Sequence, residues 1–200
     1  MKKFLVGLLA AATFFTAPQV TFADVEVPED IYQWVHSSAR GNYYFNFQQT
    51  NYAVKDDGTI DLNVIIAPTI CTYDNIQIDD VLQKRRWRGL STANYSDLIG
   101  RADYLKFDLE KGTVLITERV NLDSTFTAID SEKDFDETPL SKFSQNDITR
   151  KFYRAILLWA RSHHQLMVER SRGHLSTADA KLSLENVPIK KFDWIDSAAN

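Results

Sequence analysis

The chain has 200 residues, of which 25% are charged and 12% aromatic, with a formal net charge of −4 and one cysteine, Cys71. A single cysteine excludes a disulfide framework, the mild acidity excludes a general nucleic-acid binder, and an ordinary apolar content with only 7 Gly and 5 Pro excludes a disordered or fibrous chain. A chain of this size buries roughly two-thirds of its unfolded surface in one domain and needs no covalent staple.

Lys2 and Lys3 form a basic start, Phe4 to Phe15 an apolar run, and Thr21 and Ala23 stand as small residues at −3 and −1 before Asp24. This pattern predicts a secretory signal peptide over residues 1–23, cleaved after Ala23, with Ala17 as a second option. The run is too short to span a bilayer, so no transmembrane segment is expected in the mature chain. Cleavage removes 2 of the 23 basic residues and no acid, leaving 21 against 27 and a net charge of −6. The remainder reads as one α+β globular domain over residues 24–172 and a C-terminal tail over residues 173–200, docked or disordered. Cys71 lies far from the cleavage point, so it is no lipid-attachment site and reads as a small buried hydrophobe beside Ile70.

Pro28, with Glu29 and Asp30 after it, predicts a short helix presenting Ile31, Trp34 and Val35 on one face and closing at Gly41. Tyr43, Phe45 and Phe47 then alternate as a strand, with a bend near Gln48 to Asn51 before Tyr52 and Val54. Lys55-Asp56-Asp57-Gly58 supplies a hairpin turn with Asp57-Gly58 as its central pair. The return strand puts Ile60, Leu62, Val64 and Ile66 on one side, and Pro68 is expected to end it or push it to an edge.

Residues 76–88 read as a helix with Val81 and Leu82 inward and a basic end, Lys84-Arg85-Arg86-Trp87-Arg88. A polar loop through Gly89 to Gly100 leads to a second hairpin, in which Leu105, Phe107 and Leu109 alternate before Glu110-Lys111-Gly112, with Val114 and Ile116 after it. A short strand is expected over Thr125 to Ile129, and the acid-rich stretch Asp130 to Thr138 reads as a solvated loop. The strongest helical pattern covers residues 145–171. Ser144 is its expected N-cap, with Asp147 completing a capping box. Ile148, Phe152, Ala155, Ile156, Trp159, Ala160, His163 and Met167 form its inner stripe, Arg150, Lys151, Arg154 and Arg161 sit largely off it, and Gly173 closes it. Phe192, Trp194 and Ile195 offer docking groups in the tail. The predicted fold class is therefore α+β: an antiparallel sheet built from two hairpins, covered by one long C-terminal amphipathic helix.

Few residues point to chemistry. Asp56 to Asp61 resembles part of an EF-hand loop, but with Gly58 at loop position 6 the ligand positions 1, 3 and 12 become Ala53, Lys55 and Val64, so the turn reading stands. His163 and His164 are adjacent and lack the spacing of three or four that places two histidines on one metal. His163 therefore reads as a hydrogen-bonded core histidine and His164 as a charge near a helix C-terminus. Neither a Gly-x-Ser-x-Gly elbow nor an activated thiol is visible, and acid pairs such as Asp79-Asp80 and Asp134/Asp136 fall on solvated segments. Catalytic residues, a metal and a cofactor are accordingly not expected.

The distinctive surface candidate is Lys84, Arg85, Arg86, Trp87 and Arg88. Four cations around an indole suit an anionic polymer, a lipid headgroup or a phosphate through charge and stacking. The alternative is that Trp87 anchors the helix to the core while the cations complement the negative helix end.

Trp34 with Asn42-Tyr43-Tyr44-Phe45, and later the stretch Tyr104 to Val114, resemble the small surface-adhesin E-like domains that bacteria export. The cysteine pair expected of such domains is absent, and the helix after Ser144 lies outside the resemblance. It implies a binding role at the cell envelope. The reading from sequence is thus an exported, non-catalytic binding or envelope-associated protein, periplasmic or extracellular, with an anionic envelope polymer or a protein as partner. The alternatives are a secreted hydrolase whose site assembles only in three dimensions, and an envelope assembly factor docking through its tail.

Overall fold

A computed structural model of the chain describes residues 25–182 together with Val187 and Trp194. The expected signal peptide over residues 1–23, and Phe192 and Ile195 of the tail, lie outside these residues. The class is α+β, with an eight-stranded antiparallel sheet and, among the described residues, three α-helices.

The strands are β1 Tyr32–Ser38, β2 Gly41–Asn46, β3 Asn51–Val54, β4 Ile60–Tyr73, β5 Leu98–Asp108, β6 Thr113–Asp123, β7 Ala128–Glu132 and β8 Thr138–Pro139. Their order is β1-β2-β4-β5-β6-β7, with β3 continuing β2's side of β4 and β8 continuing β7's side of β6. The helices are α1 Asn75–Trp87, α2 Ile148–Ser162 and α3 His164–Arg170.

The first predicted helix is a strand. The helix-start chemistry survives as a single turn, with Ile31 and Tyr32 N–H both donating to the Pro28 carbonyl. Tyr32–Ser38 then pairs with β2, because a ladder partner a few residues away satisfies the backbone of a Tyr- and Trp-containing segment better than a short isolated helix does. Trp34 is consequently 56% exposed rather than packed beside Ile31. Gly41 closes no helix. It lies where β2 crosses close to β4, and a Cβ there would collide with the Thr72 carbonyl.

The β3–β4 turn forms as expected but with its centre one residue earlier. Gly58 N–H donates to the Lys55 carbonyl at 2.9 Å, so Asp56 and Asp57 are central and Gly58 follows in the left-handed region at φ 81°. Pro68 neither ends β4 nor lies at an edge; it pairs with Tyr104 in mid-sheet. On the other side of β4, β3 pairs only up to Ile66 and β2 only from Thr69, so the residue without an N–H falls opposite a hand-over in the ladder. The alternation in β4 also changes phase. Between Ile60 and Ile65 a register shift against β3 carries Ile65 and Ala67 into the core beside Leu62, while Ile66 becomes half-buried. Asp130 to Glu132 are strand rather than solvated loop, and β5 begins at Leu98 inside the expected polar loop.

The single 27-residue rod is two helices. Asp147, not Ser144, is the N-cap, its carboxylate accepting Thr149 N–H at 2.8 Å, while the Ser144 carbonyl takes part in the turn before it. At His163 the helix breaks. Two donors converge on the Trp159 carbonyl there, His163 N–H at 3.0 Å and Ser162 hydroxyl at 2.9 Å, and the His163 ring Nδ1 lies 2.9 Å from the same oxygen. The break re-phases the inner face, so His163 is exposed, stacked on Trp159 at 4.3 Å, and His164 is buried. Arg150 is likewise buried rather than off the stripe, donating to the Phe143 carbonyl at 2.9 Å under the Trp194 ring. Phe152, Tyr153, Ile156, Leu157 and Ala160 of α2, with Met167 and Val168 of α3, cover Phe45, Leu62, Ile65, Leu105, Phe107 and Val114 of the sheet. Val187 joins this core, and His174 backbone bonds to Gly58 and Ile60 tie the start of the tail to the β3–β4 turn. The other sheet face carries a smaller cluster of Ile70, Val120 and Leu122.

His164 Nδ1 lies 2.7 Å from the Tyr52 hydroxyl in the core. Burial pushes the phenol's pKa up, so it keeps its proton, and burial lowers the His164 pKa below its ordinary 6.5, only partly opposed by the Val187 backbone. A lowered folded pKa means that the unfolded chain binds the proton first. The stability held by neutral His164 is therefore whole above about pH 6.5 and is lost as pH falls through the lowered value. Between about pH 7.5 and about pH 5.5 the urea midpoint of wild type should fall more than that of His164→Asn. Equal falls would show that His164 carries none of this dependence.

Candidate anion-binding groove

β5 changes character along one face. Arg101, Asp103, Leu105 and Phe107 alternate on the same side; the last two enter the core under α2, and the first two extend beyond it toward α1. Register places Asp103 opposite Arg119 and Arg101 opposite Asn121 of β6, so like faces meet across the pair. Arg119 grips Asp103 as a fork, Nε to Oδ1 at 2.6 Å and Nη2 to Oδ2 at 3.1 Å, and Arg101 Nε reaches the same Oδ2 at 3.1 Å. Asp103 is 9% exposed. Burial disfavours the charge on Arg101, but the Asp103 carboxylate and the nearby Tyr73 phenol more than offset it and raise its pKa. Cys71, facing Arg101 across β4 and β5, has its thiol pushed up to about 11, chiefly by burial; it is the expected small buried residue and a poor nucleophile.

α1 faces this polar end. Asp74 caps it, accepting Gln77 N–H at 2.7 Å, and Lys84, Arg85 and Arg86 complement the negative end. No residue of α1 is fully buried; Val81 and Leu82 are half-buried. What pins its C-terminal turn is Arg85. Its Nη1 meets Asp130 Oδ2 at 2.7 Å, its Nε donates to the Ser91 carbonyl, and its guanidinium lies 4.1 Å over the Tyr95 ring. Asn121 also donates to Asp130, at 2.8 Å. Burial alone would raise the Asp130 pKa; hydrogen bonds with Tyr95 and Asn121, together with the Arg85 charge, outweigh it and hold the carboxyl below its ordinary range.

Between α1 and the β5–β6–β7 face runs a groove of about 450 Å³. Lys84, Arg85, Arg88, Arg101 and Arg119 line it, with Asp130 and Glu132 as the carboxylates at its wall and Val81 and Leu90 as apolar lining. Of the residues singled out in the sequence, Lys84, Arg85 and Arg88 come together here, whereas Arg86 and Trp87 do not line it. Trp87 is 83% exposed, so it does not anchor the helix to the core. Sequence reading missed Arg101, Asp103, Arg119, Asn121 and Asp130. The available signal was Arg101-x-Asp103, an opposite-charge pair on one face of an otherwise apolar strand.

The other candidates separate. His163 and His164 face opposite environments, and His174 Nε2 lies 3.5 Å from Thr59 Oγ1. Among the described residues no three His, Cys, Asp or Glu side chains form a cluster able to hold a metal, and no helix is long and apolar enough to cross a membrane. No protein-family model matches this chain, and no curated protein or solved structure matches it.

Proposed function

We propose that this is an exported, non-catalytic binding protein of the cell envelope, and that it holds an anionic ligand in the groove under α1. The lysine pair, apolar run and Thr21-x-Ala23 of the first 23 residues support export. The observation that carries the binding reading is an imbalance of charge. Three guanidiniums, those of Arg85, Arg101 and Arg119, share the carboxylates of Asp103 and Asp130, and Lys84 and Arg88 stand at the groove with no ion-pair partner among the described residues, against one further carboxylate, that of Glu132. Positive charge concentrated in a concave site of an acidic protein attracts an anion from solution and loses that attraction to salt.

The chain without residues 1–23 should be retained on a heparin column at low salt and released as ionic strength rises. Lys84→Ser/Arg88→Ser should elute at distinctly lower salt with a melting temperature lowered by a few degrees at most, because neither side chain is buried and a charge at a helix end contributes about 0.3–1 kcal/mol. Equal elution of the two proteins would remove the groove from any role in anion binding.

A further inference from the structure

We infer that the groove takes a small soluble organic anion, with one phosphate or carboxylate head on an aromatic or aliphatic body. This rests on the anionic-ligand reading above and adds the class of ligand. Three features carry it. Arg119 engages Asp103 through Nε and Nη2, and Arg101 is engaged through Nε and, toward Tyr73, through Nη1. One terminal nitrogen of each guanidinium thus has no hydrogen-bond partner among the described residues, on arginines already oriented by Asp103, which suits the paired oxygens of a single oxyanion. The volume of about 450 Å³ lies within the range of small-molecule sites, and the apolar lining of Val81 and Leu90 would stay wet around a bare phosphate. Finally, Asp130 and Glu132 line the same groove. One anionic head can reach the arginines clear of them, whereas a polyanion engages the exposed Lys84 and Arg88 and would meet both carboxylates if laid further along the groove.

The test is calorimetric titration of the chain lacking residues 1–23 with phenyl phosphate and with inorganic phosphate, beside the heparin column. Phenyl phosphate should bind at one site and about tenfold more tightly than inorganic phosphate, the factor expected from burying part of a ring against Val81 and Leu90. Leu90→Ser, at a side chain already 47% exposed, should leave the fold intact and weaken phenyl phosphate severalfold while leaving inorganic phosphate unchanged. Lys84→Ser/Arg88→Ser should weaken both. Phenyl phosphate binding no tighter than inorganic phosphate, or Leu90→Ser weakening both equally, overturns the inference. If heparin retention still depends on Lys84 and Arg88 in that case, the broader anionic reading survives; if it does not, both fall together.

Discussion

Ile156→Asp should abolish the cooperative thermal transition of the domain and leave a chain without fixed near-ultraviolet dichroism. Ile156 is fully buried, in the middle of α2, in the same cluster as Phe107, Leu105 and Ile65 of the sheet. A carboxylate there would sit among the apolar side chains of that cluster, and an unpaired buried charge costs at least several kcal/mol against a total stability of about 5–15 kcal/mol. Ile156→Val is the control. It should cost about 0.5–1.5 kcal/mol, lower the melting temperature by a few degrees and keep the transition sharp. An unchanged melting temperature in Ile156→Asp would mean that α2 does not cover the sheet.

The second large effect is expected at Asp103. Asp103→Ala leaves the Arg101 and Arg119 guanidiniums facing each other with their shared counter-ion gone. Breaking a buried ion pair costs on the order of 3–5 kcal/mol. The two arginine side chains are 30% and 25% exposed, so solvent screening trims the expected loss to about 2–3 kcal/mol. Urea denaturation measures it. Replacing all three groups together, as Arg101→Met/Asp103→Leu/Arg119→Met, should recover most of that stability, since apolar side chains of similar size often match a buried ion network. The same triple variant should lose phenyl phosphate binding. That pair of results would show the network to be kept for a ligand rather than for the fold. A triple variant less stable than Asp103→Ala, or one that still binds, would assign the network to structure alone.

The features legible in the sequence are those decided within a few residues. Lys55 to Gly58 and Lys111-Gly112 turn the chain because Asp and Gly chemistry favours a turn whatever surrounds it, although the expected strand from Tyr43 to Val54 divides into β2 and β3. Helix α1 lies within a residue of its expected limits for a similar reason, a cap at Asp74 and a basic last turn. The errors fall where distant partners compete with local preference. Pro28-Glu29-Asp30 starts a helix, but β2 offers Tyr32–Ser38 a ladder. An alternation running from Ile60 to Ile66 is interrupted by a register shift that only the pairing with β3 imposes. The helical stripe through His163 is cut by competition for one carbonyl, which exchanges the environments of His163 and His164.

The candidate site divides the same way. Lys84, Arg85 and Arg88 were visible as a run of cations on one helical end, a local property of composition. Their meaning was not visible, because it depends on Asp130, 45 residues from Arg85, and on Asp103 and Arg119, 16 residues apart. By itself the sequence determined the α+β class, the two turns, a capped basic helix and a long apolar stripe near the C-terminus, since each follows from short-range backbone and side-chain preferences. Tertiary structure alone decided which face of each strand is buried, where the stripe breaks and which carboxylate meets which guanidinium. Those outcomes depend on register, and a shift of one residue turns every side chain of a strand to the opposite face.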